Sequence, residues 1–285
     1  MAVSTLLAQW TASTTNRGRQ KLVQTIRDFL QTNGWTIVDD MTVATWTYGG
    51  QARHAIVVTY NRNTGFSGDN PLVIISSYVA SSVEYLYLYA IESWNTSTKA
   101  FTGMATGRYA FTVVSYTSNM NFHLSCDSTF IVMTSSIAGV RQSNALSGVC
   151  CFERYAGDQD LGTFYGSIVF NSNSIGVPRS WSNTTVFGSN GTSSDVLNFN
   201  TLIGANWTAM TVVDQAGNDV IFPVYITDVL YGRHKGIVYG MRVTSNRAGI
   251  TDGTTTGVID GNDWYIVKSG TTSGCMPYAT PTVVT

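Results

Sequence analysis

From residue 35 onward, short runs of β-branched and aromatic residues are separated by turn sequences, which is typical of consecutive β-strands. The clearest run is Val83–Ile91, whose large side chains alternate between the two faces of a strand. Turn residues follow several runs, as at Gly65 and at Asp260-Gly261. The other predicted strands cover residues 54–60, 72–78, 109–116, 129–134, 148–155, 165–170, 207–213, 220–226, 236–243 and the hairpin 258–267. We therefore predict a mainly β protein with a short N-terminal helical segment and an antiparallel β-sandwich or barrel-like body.

The first 34 residues differ from the rest because their apolar residues recur at helical spacing. The longer stripe would bury one face of a helix, and it consists of Leu22, Val23, Ile26, Phe29 and Leu30. Gly34 suits the position just past a helix, where a positive φ is common. The candidate N-caps are Thr14, Thr15 and Asn16. We predict a helical segment over residues 1–34 and a β-rich body over residues 35–285.

This helical segment contains two groups of residues that are candidates for an interface with another protein. Leu6, Leu7 and Trp10 form a short apolar stripe, which would dock on a neighbouring protein or cover one end of the β body. Arg17 and Arg19 begin a basic cluster that opposes the helix macrodipole at this end. A solvated polar face explains that cluster, and a contact with an acidic neighbour or with nucleic acid is the functional alternative.

The composition places most of the polar surface in neutral side chains. Acidic and basic residues number 17 and 16, the net charge is −1, and charged residues make up only 12% of the chain. Serine, threonine and asparagine together supply 85 of the 285 residues. The charge balance removes the electrostatic argument for nucleic-acid binding, and no apolar run approaches the roughly 18 residues of a membrane-spanning helix. A surface poor in charge and rich in aromatic residues favours coverage by other subunits.

Three tyrosines share one face of the predicted strand Val83–Ile91. Tyr85, Tyr87 and Tyr89 point to that face, while leucines occupy the other and are expected to meet the core. We interpret the tyrosine face as a candidate interface whose hydroxyl groups reach water or a partner.

Residues 171–206 are dense in serine, asparagine, glycine and threonine, and they include Trp181. We interpret this stretch as a long surface excursion, or as a linker between two β portions. Trp181 is a further candidate interface residue, and together with the tyrosine face it makes sugar stacking an alternative role. Pro223 lies inside a later strand-like run and predicts an edge strand there.

The cysteines indicate structural thiols in a reducing compartment. Cys150 and Cys151 are adjacent, so they would point to opposite faces of a strand, and the sequence contains no CxxC motif. The first ten residues lack the basic and apolar regions of a signal peptide. We therefore expect synthesis in a cytosol.

No arrangement of reactive residues in the sequence points to catalysis. His54, His123 and His234 lack the spacing of metal ligands, and the sequence has no nucleophile elbow and no phosphate-binding glycine loop. The acidic residues considered for a hydrolytic pair are Glu153, Asp158, Asp160 and Asp263, for which turn or exposed-strand positions are the simpler explanation. We predict no catalytic, cofactor-binding or metal-binding residues, and a carboxylate hydrolase is the least favoured alternative.

Five segments of the sequence together carry a resemblance to a known group of proteins, and they are 29–35 (FLQTNGW), 121–133 (NFHLSCDSTFIVM), 148–155 (GVCCFERY), 231–243 (YGRHKGIVYGMRV) and 257–267 (GVIDGNDWYIV). In these segments the chain resembles virion structural proteins of tailed bacteriophages. The resemblance is one of layout, with a short N-terminal helix followed by a β-rich body. It implies a tail, baseplate or fibre-attachment component, made in the host cytoplasm and built into the virion. It carries over no catalytic residues.

These observations lead to one main hypothesis and one alternative. The main hypothesis is a non-enzymatic virion subunit, whose partners are other copies of itself and neighbouring virion proteins, with no nucleic acid and no membrane insertion. The alternative is a receptor-binding or glycan-binding fibre module, whose partner is a glycan on the host surface.

Overall fold

The computed structural model is described over most of the chain. The described residues are 2–15, 17–60, 72–91, 93–102, 110–141, 146–151, 167–171, 174–176, 197–200, 221–228, 234–244, 251–259, 261–269 and 272–285. Within these ranges the chain forms one α-helix and three large β-sheets, with one additional small hairpin.

The largest sheet, here called the central sheet, has eight strands. They are β1 (Ser4–Trp10), β9 (Met120–Cys126), β10 (Phe130–Ile137), β11 (Val140–Arg141), β12 (Ser147–Cys151), β13 (Ser167–Asn171), β14 (Ser174–Gly176) and β20 (Thr282–Val284). Their order is β14-β13-β12-β10-β9-β1-β20, with β11 paired to β10. Every pairing is antiparallel except that of β1 with β20, which is parallel.

The second sheet, here called the tyrosine sheet, is antiparallel throughout. Its strands, in spatial order, are β2 (Trp35–Tyr48), β3 (Gln51–Tyr60), β4 (Leu72–Ala80), β5 (Val83–Ile91) and β8 (Ala110–Val114). The helix α1 (Arg19–Thr32) contacts its first three strands. A small hairpin of β6 (Ser93–Asn95) and β7 (Ala100–Thr102) follows β5.

The third sheet, here called the C-terminal sheet, is also antiparallel. Its strands, in spatial order, are β15 (Leu197–Asn200), β16 (Ile221–Asp228), β17 (His234–Thr244), β19 (Thr272–Tyr278) and β18 (Asp263–Ser269). A tight turn precedes β18, where Ile259 and Asn262 exchange two backbone hydrogen bonds of 2.9 and 3.1 Å. Gly261 lies in this turn with a φ of 78°, so the turn predicted at this glycine is confirmed.

The main hydrophobic core lies between the central sheet and the tyrosine sheet. Leu124 and Met133 enter it from the first sheet, and Ile75 and Leu88 enter it from the second. The two antiparallel layers form a sandwich-like arrangement, which confirms the predicted fold class, and the described strands form no closed barrel. The C-terminal sheet packs on the opposite face of the central sheet, where a Cβ atom on Gly240 would touch Phe130.

The helix predicted in the N-terminal segment is confirmed from Arg19 to Thr32. Its buried face contains all five apolar residues of the predicted stripe, together with Thr25. The helix ends at Asn33, and Gly34 follows with a φ of 87°. Gly18 occupies the N-cap position without a side-chain cap, so the prediction of a cap at Thr14 or Thr15 is wrong, and Asn16 lies outside the described residues. Within the described residues, no helix is long and apolar enough to cross a membrane.

The helical prediction is wrong for the first ten residues, because Ser4–Trp10 forms strand β1 between β9 and β20. Leu6, Ala8 and Trp10 are buried in the main core, which is the alternation of a strand. Over so short a segment, the adjacent pair Leu6-Leu7 is compatible with the periodicity of a helix and with that of a strand. Pairing with β9 makes the segment a strand.

Two further sequence predictions concern the later strands. Strand β16 lies between β15 and β17, so the prediction that Pro223 marks an edge strand is wrong. Strand β15 pairs only with residues 225–228, however, and Pro223 lies beyond that pairing. The stretch 171–206 contributes β14 to the edge of the central sheet and β15 to the edge of the C-terminal sheet, and its other residues beyond Asn171 lie outside the described part.

Candidate interaction surface

The tyrosine face of β5 is largely covered. Tyr87 and Tyr89 are only 7% and 3% exposed, whereas Tyr85 is half-buried. They belong to a second apolar cluster on the face of the tyrosine sheet that points away from the main core. The expectation that Leu86 and Leu88 meet the core is confirmed. The expectation that the tyrosine face is open is wrong for Tyr87 and Tyr89, because both faces of this sheet are packed.

Strand β2 and the hairpin β6–β7 supply the cover. A register shift between Met41 and Trp46 loops the intervening residues of β2 out of the pairing. Trp46 then stacks on Tyr48 with ring centroids 4.9 Å apart. From the hairpin, Trp94 and Phe101 meet Trp46 edge-on at 5.9 and 6.1 Å.

One carboxylate fastens this hairpin to β2. Asp39 accepts a hydrogen bond of 2.7 Å from the Trp94 indole, and the Lys99 ammonium binds both of its oxygens at 2.7 and 2.8 Å. The Trp46 indole also donates to the Lys99 carbonyl at 3.1 Å. Asp39 therefore has a structural role, which accounts for a carboxylate that is only 8% exposed.

Arg53 lies inside the aromatic cluster and is 5% exposed. Its guanidinium carbon lies 4.3 Å from the ring centroid of Tyr78 and 5.0 Å from that of Tyr48. Trp46 and Tyr87 are each 5.9 Å away. These distances are those of cation–π contacts.

Hydrogen bonding satisfies only part of this guanidinium. Nη1 of Arg53 donates to the Tyr89 hydroxyl at 2.6 Å. Nε is enclosed and has no hydrogen-bond partner. Burial raises the pKa of Tyr89 to about 12, although the neighbouring arginine opposes this shift, so Tyr89 stays protonated and can accept the bond with its oxygen. Arg53 thus combines a buried positive charge with unused donors.

The predicted basic cluster lines a groove of about 330 Å³ at the start of α1. Arg17, Arg19 and Lys21 line it from the helix side, and His54 lines it from β3. Arg17 donates to the Thr11 carbonyl at 2.6 Å, and Arg19 lies 4.0 Å from a carboxylate oxygen of Glu84. Both arginines therefore have partners within the chain.

The other predicted interface residues have different positions. Leu6 and Trp10 are 1% and 2% exposed, so they pack within the chain instead of docking on a neighbour, which corrects that expectation. Leu7 is half-buried on the opposite face of β1. Trp181 lies outside the described residues.

A second polar cluster joins the central sheet to the C-terminal segment. Nε of Arg141 binds both oxygens of Asp252 at 3.0 and 3.1 Å, and Nη2 donates to the Tyr265 hydroxyl at 2.5 Å. That hydroxyl also lies 3.2 Å from Nε2 of His123. Burial, reinforced by the nearby Arg141, lowers the pKa of His123 to about 3, so its imidazole is neutral.

Comparison with known proteins does not assign this chain to a family. No family model matches the chain, and no curated protein is significantly similar to it. The functional argument therefore depends on the residues themselves.

The described residues offer few groups for chemistry. No cluster of three or more histidine, cysteine, aspartate or glutamate residues that could hold a metal ion occurs among them. Cys126, Cys150 and Cys275 are buried and belong to no disulfide among the described residues, and burial raises the pKa of Cys126 to about 12, which leaves it as an inert thiol. Glu153, Asp158 and Asp160, which were considered for a hydrolytic pair, lie outside the described residues.

Arg53 is not among the candidate residues predicted from the sequence. The residues that surround it come from β2, β4 and β5, and no local spacing links them. One signal was available, because residues 55–58 (AIVV) and 72–75 (LVII) are apolar without alternation, as in strands buried on both faces. That pattern predicts a covered tyrosine face and hence a buried position for Arg53.

Proposed function

We propose that this protein is a non-enzymatic structural subunit of a bacteriophage virion, most consistent with a tail or baseplate component. It would assemble with copies of itself and with neighbouring virion proteins. The resemblance of the sequence to such proteins motivates the proposal, and the distribution of charge in the fold supports it.

The supporting observation is that several charged side chains of the described part are paired with one another. Charged residues make up 12% of the sequence. Ion pairs within the described part include Arg19–Glu84, Arg27–Asp28, Arg27–Asp40, Lys99–Asp39 and Arg141–Asp252. The described part of the surface therefore carries less unpaired charge than its composition implies, which suits surfaces that other subunits cover.

Exposed aliphatic side chains provide a second line of support. They occur at Val43, Val83, Val140, Val258, Ile259 and Val283. Val283 belongs to β20, which ends the central sheet and pairs on one side with β1. An edge strand that carries an exposed valine and no charge is suited to pairing with another chain.

Sedimentation velocity over a wide concentration range tests self-assembly directly. We expect concentration-dependent oligomers, and we expect Val283→Lys to weaken them because a lysine on an edge strand opposes pairing. Val258→Lys, the same change at another exposed valine, is the matched control. A protein that stays monomeric at every concentration would contradict self-assembly.

The second candidate function is a receptor-binding or glycan-binding module. The observation that favours it is the aromatic cluster, in which Tyr48, Tyr78 and Tyr85 are half-buried and so keep accessible ring surface. Sugar rings stack on such surfaces. A screen of immobilised glycans tests this role, and the absence of any bound glycan would remove it.

A further inference from the structure

The position of Arg53 calls for an explanation beyond packing. Removing a guanidinium from water costs several kcal/mol, and a buried arginine is ordinarily paired with a carboxylate. Arg53 is 5% exposed, yet no ion pair joins it to any acidic residue of the described part. Four aromatic rings offset part of this cost through cation–π contacts, and the Tyr89 hydroxyl accepts one hydrogen bond.

The unused donors of Arg53 lie on one edge of the guanidinium plane. Nη1 is the nitrogen that binds Tyr89, whereas Nε and Nη2 have no hydrogen-bond partner in the described part of the chain. The N–H bonds of Nε and Nη2 run parallel along the same side of the group. This is an edge that a carboxylate meets with two hydrogen bonds, a geometry that lysine does not offer.

This edge lies close to the turn between β2 and β3. Nη2 is 3.9 Å from the position that a Cβ atom on Gly49 would occupy, and Gly49 is exposed. Because Gly49 has no side chain, this residue does not cover the end of the Arg53 side chain, which therefore lies near the surface. Nε is more deeply enclosed, so a ligand would meet Nη2 first and reach Nε after the covering side chains shift.

Half-buried aromatic rings flank this edge of the Arg53 guanidinium. Tyr78 lies 4.3 Å from the guanidinium carbon and Tyr48 lies 5.0 Å from it, and both keep part of their surface accessible. A ligand that combines a carboxylate with a ring face able to stack on tyrosine matches this combination. Acidic sugars have both features, whereas an isolated aspartate or glutamate side chain has only the first.

We propose that Arg53, flanked by Tyr48 and Tyr78 beneath the turn at Gly49, forms a binding site for a carboxylate-bearing sugar. The carboxylate accepts hydrogen bonds from Nη2 and Nε of Arg53, and the sugar ring stacks on tyrosine. This inference rests on the second candidate function and names its ligand class, and the structural-subunit proposal does not depend on it.

Three small probes separate the parts of the proposal in the unmodified protein. Methyl glucuronide carries the ring and the carboxylate, methyl glucoside carries the ring alone, and acetate carries the carboxylate alone. Titration is followed by ligand-observed NMR and by the fluorescence of the nearby tryptophans Trp46 and Trp94. We expect methyl glucuronide to bind about tenfold more tightly than either other probe, because only this probe combines charge-assisted hydrogen bonds to Arg53 with ring stacking on tyrosine.

The outcomes distinguish this site from glycan binding in general. Equal affinity for methyl glucoside and methyl glucuronide would overturn the carboxylate site and leave the glycan-binding function standing. Equal affinity for acetate and methyl glucuronide would overturn the assignment to a sugar. No binding of methyl glucuronide at millimolar concentration would overturn this site, whereas the second candidate function fails only if the glycan screen also yields no bound glycan.

Variants then locate the binding. Arg53→Lys keeps the charge but removes the two-donor edge, so the preference for methyl glucuronide over methyl glucoside should fall about tenfold. Tyr78→Phe keeps the ring and should retain the preference, and Arg27→Lys is the matched control at an arginine that is ion-paired elsewhere. A full preference in a folded Arg53→Lys protein would overturn the site, and the probe series tests the proposal independently if that variant does not fold.

Discussion

Gly240 and Phe130 lie in direct contact where the C-terminal sheet packs on the central sheet. A Cβ atom at position 240 would lie 2.5 Å from Cγ of Phe130 and 2.6 Å from Cγ2 of Val132. Gly240 also has a φ of +76°, a conformation that other residues seldom adopt. The close approach of these sheets therefore requires glycine at this position.

We predict that Gly240→Ala destabilises the protein by about 2–5 kcal/mol, from the combined effects of overpacking and backbone strain. Urea unfolding measures the change. Gly257→Ala is the matched control, because a Cβ atom there would meet nothing within 4 Å. Similar unfolding midpoints for the two variants would contradict the packing of these sheets.

The neutral His123 predicts a loss of stability in acid. Its folded-state pKa of about 3 lies below the ordinary value of 6.5, because burial and the nearby Arg141 disfavour the imidazolium form. The unfolded chain therefore binds a proton between these values and the folded chain does not. This contribution to stability is present in full above pH 6.5 and declines as the pH falls toward 3.

Unfolding free energies of the parent protein and of His123→Asn, measured between pH 3 and pH 8, test this expectation. The variant removes the titrating group, so the difference in stability between the two proteins should depend on pH below pH 6.5 and be constant above it. His54→Asn is the control at a histidine that is only half-buried. A pH-independent difference for His123→Asn would mean that the imidazole is not held neutral.

Arg141 and Arg27 should differ in their effects on stability. The Arg141 side chain is 5% exposed and binds Asp252 and Tyr265, so Arg141→Met should cost about 3–5 kcal/mol by leaving buried partners without their donor. Arg27, whose side chain is 24% exposed, forms ion pairs with Asp28 and Asp40, so Arg27→Met should cost about 1 kcal/mol or less. Thermal and urea unfolding provide both values, and equal losses would contradict the assigned burial of Arg141.

The tyrosine face provides a test along a single strand. Tyr87 is 7% exposed, so Tyr87→Ala should cost about 3–5 kcal/mol, as is usual for a buried aromatic residue. Tyr85 is half-buried on the same face, and Tyr85→Ala should cost clearly less. Urea unfolding of the two variants provides the comparison. Equal small losses would place both rings on an open surface.

Where a pattern extends over several turns or residues, the sequence predicts the structure well. The stripe from Leu22 to Leu30 gives helix α1, and the alternation in Val83–Ile91 gives β5 with its leucines in the core. The segment 4–10 is too short for its period to decide between helix and strand, and its pairing with β9 is a contact between residues more than 100 positions apart. Tertiary contacts of this kind are not encoded in local spacing.

The candidate site around Arg53 is harder to predict from the sequence than the helix and the strands. Arg53 acquires its environment because a register shift in β2 places Trp46 and Tyr48 over β5, and because the β6–β7 hairpin folds back onto them. Each step depends on an irregularity or a long-range hydrogen bond, such as that from Trp94 to Asp39. The unbroken apolar run at residues 55–58 indicates a strand buried on both faces, but it does not identify the aromatic residues that cover Arg53.

The central claim is that this chain is a structural component of a virion, and particle composition tests it most directly. Quantitative mass spectrometry of purified phage particles, produced from the genome that encodes this chain, measures its copy number relative to the known structural proteins. We expect a fixed, multiple copy number that survives stringent purification. Particles that are complete and infective but lack the chain would contradict it.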